Sequence, residues 1–103
     1  LNPSAIRFYE REGLVKPRRH GRLRVYSATD AVSLSRIAQL RALGLPVKII
    51  NRLLKTLPET SRWLESDVVK EALLAHSHEL VRHQAEIAKR LEALSATLVE
   101  KSA

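Results

Sequence analysis

The spacing of apolar residues changes along the chain, and each change of spacing predicts a different element. From Asp67 to about Lys101 there is neither Gly nor Pro. Leu73, Leu80, Ile87 and Leu94 fall seven residues apart, and Ser77, Gln84, Leu91 and Leu98 fill the alternate positions. A 3-4 spacing held over several heptads is the pattern of a coiled coil. At 1.5 Å per residue the helix would be roughly 50 Å long. Leu74, Val81 and Ala88 widen the stripe on one side. The seam is polar at Ser77 and Gln84 and apolar from Ile87 onward. A lone helix of this kind has to bury its seam. The natural cover is a second subunit, contacting Leu73, Leu80, Ile87, Leu91, Leu94 and Leu98. The alternative is a fold-back onto the rest of the chain.

Upstream the pattern is shorter and more broken. Asn2 can cap a helix in which Pro3 takes the first position, where a missing N–H costs nothing. Gly13 is placed to end that helix in a left-handed conformation. At about 100° per residue, Ala5, Ile6, Tyr9 and Gly13 share one face, while Ser4, Arg7, Phe8 and Arg11 share the opposite one. The first face suits packing. The second carries two guanidinium groups, a hydroxyl and an aromatic ring.

Leu23 to Tyr26 suits a strand, and Gly21 marks a turn. With Pro17 at its edge, this predicts a two-stranded hairpin, or wing, with Arg18, Arg19, His20 and Arg22 at its tip. Ser27 followed by Asp30 is a capping-box-like start for a second helix. Its expected buried stripe is Leu34, Ile37, Ala38, Leu40 and Leu43, with Gly44 ending it. Pro46 opens a third helix, with Val47, Ile49, Ile50, Leu53 and Leu54 apolar, and Pro58 closes it. The connector that follows holds the only Trp, Trp63, expected to be a packing anchor.

Composition sharpens this picture. The 103 residues suffice for one small domain and one extended element. There is no Cys, which excludes disulfides, thiolate metal sites and thiol catalysis. No apolar run approaches the roughly 18 residues that span a bilayer, and no signal-peptide pattern opens the chain. No membrane partner is therefore expected, and a cytoplasmic location is. The net charge is +7, and it is unevenly placed. Residues 1–56 hold 12 Lys/Arg against 3 Asp/Glu, whereas residues 57–103 hold 6 against 8. A basic patch confined to one module is the electrostatic footprint of a nucleic-acid binder.

The run Ile6-Arg7-Phe8-Tyr9-Glu10-Arg11-Glu12-Gly13-Leu14 resembles the recognition-helix segment of MerR-family transcriptional regulators. Arg24-Val25-Tyr26-Ser27, then Asp30, resembles the end of that family's wing and the start of its next helix. Leu40-Arg41-Ala42-Leu43-Gly44-Leu45 resembles the following boundary, and a long terminal helix completes the pattern. The resemblance spans nearly the whole chain. It implies a mainly α fold: a winged helix-turn-helix DNA-binding head with a small β-hairpin wing, then a long dimerisation helix in an antiparallel coiled coil. The expected divisions are a head over 1–57, a connector over 58–66 and the dimerisation helix over 67–103. The family normally has a helix before the recognition helix, so the head is expected to lack its first helix.

The resemblance also implies a homodimer that binds double-stranded DNA at promoter operators and distorts it, with RNA polymerase as a further partner. Arg7 and Arg11 would then face the major groove, with Ser4 on the same face. Phe8 stands where Tyr is common in the family, so a hydroxyl contact is lost while apolar contact with a base methyl or a sugar is kept. Arg24 would hold phosphate at the wing with Tyr26 beside it, and Arg18, Arg19 and Arg22 would reach backbone or minor groove. Metal- and redox-sensing members use Cys near the dimer helix, and none is present here.

His76 and His83, seven apart, could in principle hold Zn²⁺ or Ni²⁺ across a dimer. The i, i+4 pairing typical of helical metal sites is absent, so no metal and no cofactor is expected. No paired carboxylates, Ser/His/Asp set or phosphate-cradling Gly loop is present, so the chain does not read as an enzyme. Two other readings share its features: a DNA-architectural or excision-accessory winged-helix protein, and a coiled-coil interaction module whose basic head meets an acidic surface.

Overall fold

The computed structural model describes residues 2–102. Chain order is α1 (Pro3–Arg11), β1 (Arg18–His20), β2 (Leu23–Val25), α2 (Ala28–Ala42), α3 (Val47–Leu54), a 3₁₀ turn (Trp63–Glu65) and α4 (Asp67–Ser102). Contacts divide the chain into two units that meet between Val69 and Lys70.

The first unit is built from short helices with well-defined ends. The Asn2 side chain accepts the Ala5 N–H at 2.8 Å, and Pro3 follows it as the first helical residue. At α2 the Ser27 hydroxyl accepts the Asp30 N–H at 3.1 Å, while the Asp30 carboxylate accepts the Ser27 N–H at 2.9 Å. Each cap satisfies amide groups that the helix itself leaves open.

α1 and α2 also end alike. Leu14 N–H donates to Tyr9 carbonyl at 2.9 Å and Gly13 N–H to Glu10 carbonyl at 3.1 Å. Leu45 N–H donates to Leu40 carbonyl at 3.3 Å and Gly44 N–H to Arg41 carbonyl at 2.9 Å. Both are Schellman closures with glycine in the left-handed region, at φ +79° for Gly13 and +89° for Gly44. In each case the residue after the glycine and the helical residue whose carbonyl it reaches are buried: Leu14 with Tyr9, Leu45 with Leu40.

These residues join Val15, Ile37, Ile50, Leu53, Leu57, Trp63 and Val69 as the buried apolar set. α2 packs on α3. Pro46 caps α3 without a side-chain bond, and its carbonyl accepts the Ile50 N–H at 3.0 Å. Trp63 anchors the connector: it is buried, and the Arg36 guanidinium lies 5.2 Å from its ring centroid. Arg36 also donates to the Pro58 carbonyl at 3.2 Å.

Four sequence expectations need correction. Leu43 is not part of the buried stripe of α2; it is the C-cap and is exposed, because the turn at Gly44 carries the chain away at that point. α3 stops at Leu54, well before Pro58, where the Leu53 carbonyl is taken by the Thr56 N–H and hydroxyl. Tyr26 lies outside β2. Finally, Arg18, Arg19 and His20 form β1 and are not at the hairpin tip, which is Gly21-Arg22. Gly21, the first of those two loop residues, has φ +63° while Arg22 does not have positive φ, the arrangement of a type II′ turn.

The second unit is the α4 helix from Lys70 onward. Leu74, Leu80, Val81, Ile87, Leu91, Leu94, Leu98 and Val99 are all exposed on it, and Leu73 is half-buried. Helices in proteins draw most of their stability from packing an apolar face, so an open apolar face is a large unmet driving force.

Replacing Gly44 by Ala should destabilise the head by about 1–2 kcal/mol, the cost of a β-carbon in the left-handed region. No neighbour within 4 Å would meet that β-carbon, so the loss is conformational and not steric. Denaturant unfolding of the two proteins, compared at equal m-value, measures it.

Candidate nucleic-acid interface

The polar face of α1 forms where the sequence pattern places it. Ser4, Arg7 and Arg11 are exposed, and Phe8 is half-buried. Tyr9, on the opposite side, is buried, and its ring meets that of Phe8 edge-on with centroids 5.7 Å apart. That contact holds Phe8 at the border between core and surface. Arg7 donates to the Ser4 hydroxyl at 3.4 Å. Among the described residues neither Arg7 nor Arg11 makes an ion pair. Two guanidinium groups therefore stand one helical turn apart with their charge uncompensated.

Phe8 and Glu12 also line an open depression of about 300 Å³ with Leu14, Val47, Lys48 and Asn51. Through it α3 adds an amine and an amide beside α1. The sequence reading did not single out Lys48 or Asn51, since only the fold brings the start of α3 to this place.

The wing has two unlike faces. Its register pairs Arg18 with Val25, Arg19 with Arg24 and His20 with Leu23. Side chains alternate along a strand, so Arg19 and Arg24 share one face, and Arg18, His20, Leu23 and Val25 share the other. On the first face, both guanidinium groups reach the same carboxylate. Arg24 Nε lies 2.7 Å from Glu10 Oε2, and Arg19 Nη2 lies 3.0 Å from Glu10 Oε1. α1 is thereby tied to both strands through one side chain. The other face is open: Leu23 is 68% and Val25 49% exposed, beside exposed Arg18 and His20. Arg22 is exposed in the loop, and Tyr26 is exposed just beyond β2.

Of the residues the sequence pattern marked for DNA contact, then, the structure gathers Ser4, Arg7, Phe8 and Arg11 on one helix face. It places Arg19 and Arg24 against Glu10, and Arg18, Arg22 and Tyr26 separately in or beside the wing. Glu10 was missed. The only signal for it lay in the cross-strand register, which sequence spacing does not give.

A profile of the MerR HTH family of regulatory proteins matches residues 1–57. The chain belongs to the MerR family. Members of this family are helix-turn-helix, DNA-binding transcription regulators. No curated protein and no solved structure matches the chain. The matched segment includes α1, the wing, α2 and α3, so every feature of the basic surface lies within the MerR-type head. Among the described residues no helix is long and apolar enough to cross a membrane.

The electrostatics of the clasp can be tested directly. The hydrogen bond from Arg24 is the main reason the Glu10 carboxyl is held below its ordinary value; the charges of Arg24 and Arg19 add to it, and partial desolvation opposes it. A carboxylate depressed in the folded state contributes stability above its unfolded value and loses it as pH falls through the folded one. The clasp should therefore stay closed at neutral pH and open only on the acid side of the normal glutamate range. In a ¹³C NMR titration Glu10 should titrate below the ordinary glutamate value. Arg24→Gln should bring it back towards that value further than Arg19→Gln does.

Proposed function

We propose that this MerR-family protein is a sequence-specific transcriptional regulator that binds promoter operators as a homodimer and distorts the DNA. The observation that supports this most is the uncompensated pair Arg7 and Arg11 on the exposed face of α1, beside a wing carrying four further basic residues. A helix in the major groove reads base edges through side chains of this kind, Arg to guanine above all. Arg7 and Arg11 would supply that contact, with Ser4 and Phe8 completing the face. Arg18, Arg22 and Tyr26 would meet backbone or minor groove from the wing. Arg19 and Arg24 would add positive potential on the side of the wing that faces α1. Bending the duplex lets a small head and its mate read sequence through deformability as well as through contacts.

The partner in this reading is a second copy of the chain. Leu73, Leu80, Ile87, Leu91, Leu94 and Leu98 would form the seam, with the two α4 helices antiparallel as the family resemblance implies. Each large apolar side chain contributes about 1.5–3 kcal/mol on full burial. The exposed set on α4 is large enough to hold two chains together. The protein would act in the cytoplasm, where promoter DNA and RNA polymerase are.

Two measurements test this reading. In a gel shift against DNA from upstream of its own reading frame, the protein should retain a discrete complex at a salt concentration that abolishes binding to unrelated DNA. Replacing Arg7 by Ala should then cost about 1–3 kcal/mol on the preferred site and much less on unrelated DNA. Equal losses on both would mean that Arg7 only grips phosphate.

The second measurement is mass. The protein should sediment as a dimer at micromolar concentration. Leu91→Asp should raise its dissociation constant by at least about a hundredfold, because a carboxylate would replace a buried leucine at the seam. A wild-type monomer would rule out α4 as a dimer helix.

A further inference from the structure

We infer that Glu10 is a specificity-determining positioning residue: by holding Arg19 and Arg24 it fixes the wing against α1. The inference rests on the DNA-binding reading above and concerns how that surface discriminates between sites.

Attraction to DNA phosphate does not account for a carboxylate in this place. Glu10 lies about 60° around the α1 axis from Arg7, on the flank of the face proposed to meet DNA. A negative charge there opposes approach to phosphate at every sequence alike. Fold stability does not account for it either, since ion pairs with partly exposed members contribute little. Arg19 is 50% and Arg24 33% exposed at the side chain, against 19% for Glu10.

What the carboxylate does achieve is geometric. It accepts from Arg24 at 2.7 Å and from Arg19 at 3.0 Å, one oxygen to each. Because Arg19 and Arg24 are a cross-strand pair, this single group restrains both strands of a hairpin only three residues long on each side. A two-stranded ribbon of that size has little rigidity of its own. No residue of β1 or β2 is buried, so apolar packing does not hold it. The clasp sets where the wing stands relative to Arg7 and Arg11, and so which pairs of groove and backbone positions can be engaged together. It also occupies two guanidinium groups that would otherwise grip any phosphate within reach.

The test compares three full-length proteins: wild type, Glu10→Gln and Glu12→Gln. Both substitutions remove one negative charge from the C-terminal end of α1, on opposite flanks of the helix; Glu10 faces the wing, whereas Glu12 lies on the other side and among the described residues makes no ion pair. Each protein is measured against the duplex that wild type selects from a random-sequence pool and against an unrelated duplex. Glu12→Gln should tighten both complexes equally and leave their affinity ratio unchanged. Glu10→Gln should tighten the unrelated complex and lower the ratio by about tenfold, the scale of a charge-assisted hydrogen bond.

A readout without DNA accompanies it. Backbone order parameters at Gly21, Arg22 and Leu23 should fall in Glu10→Gln, with α2 and α3 unchanged. Equal ratios for the two variants, or a wing as ordered as in wild type, would overturn the inference and leave the regulator reading intact. A wild-type protein that selects no sequence from the pool would overturn both.

Discussion

The head depends on a tight reversal made twice. At Gly13 and again at Gly44 the chain leaves a helix through a left-handed residue and turns back across the helix end. Each reversal satisfies two late carbonyls and delivers a leucine to the interior. Without them α1 could not be followed at once by Leu14 and Val15, nor α2 by Leu45, in a core of barely a dozen apolar side chains. A domain this small has few contacts to spare. The glycines place the contacts it has, and the polar caps at Asn2 and Ser27 fix where each helix begins.

Because the core takes Tyr9 from α1, the remaining faces of that helix are left for other purposes. One carries Arg7 and Arg11, unpaired and open to solvent. Its flank carries Glu10, committed to the wing. Charge is thus sorted within a single short helix: two cations free to meet a polyanion, one anion used internally. The family membership gives this sorting its meaning, since MerR-type heads bind DNA. α4 presents a different physical situation. From Lys70 onward it has polar surface, an apolar stripe and no buried residue, so the packing of that stripe is a stabilisation the single chain leaves unused.

Much of this was legible from residue order, and the reason is locality. Caps, glycine stops and helix-compatible runs are written in neighbouring residues, so Asn2-Pro3, Ser27 with Asp30, Gly44 and the helix from Asp67 can all be read directly. Features that depend on register or on tertiary contact could not. Gly21 and the apolar run after it predict the hairpin, yet they do not fix its tip, because the pairing that makes Arg18–His20 a strand is not written in the spacing. Leu43 looked like a core residue because helical periodicity does not know where the helix stops. The clasp at Glu10 joins residues nine and fourteen positions apart, and it needed the pairing of Arg19 with Arg24 to become visible. The polar face of α1 was legible for the same reason as its cap, whereas the neighbourhood of Lys48 and Asn51 belongs to the packing of α3.

The bond between α1 and both strands has a consequence for how such a head can diverge. A helix exchanged alone for that of another regulator would leave two guanidinium groups facing whatever residue replaced Glu10. A wing exchanged alone would leave a carboxylate without its cations. A substitution in one element therefore changes the charge balance of the other. New binding preferences are more accessible through paired changes, or through exchange of the whole segment from Asn2 to Val25, than through piecemeal grafting.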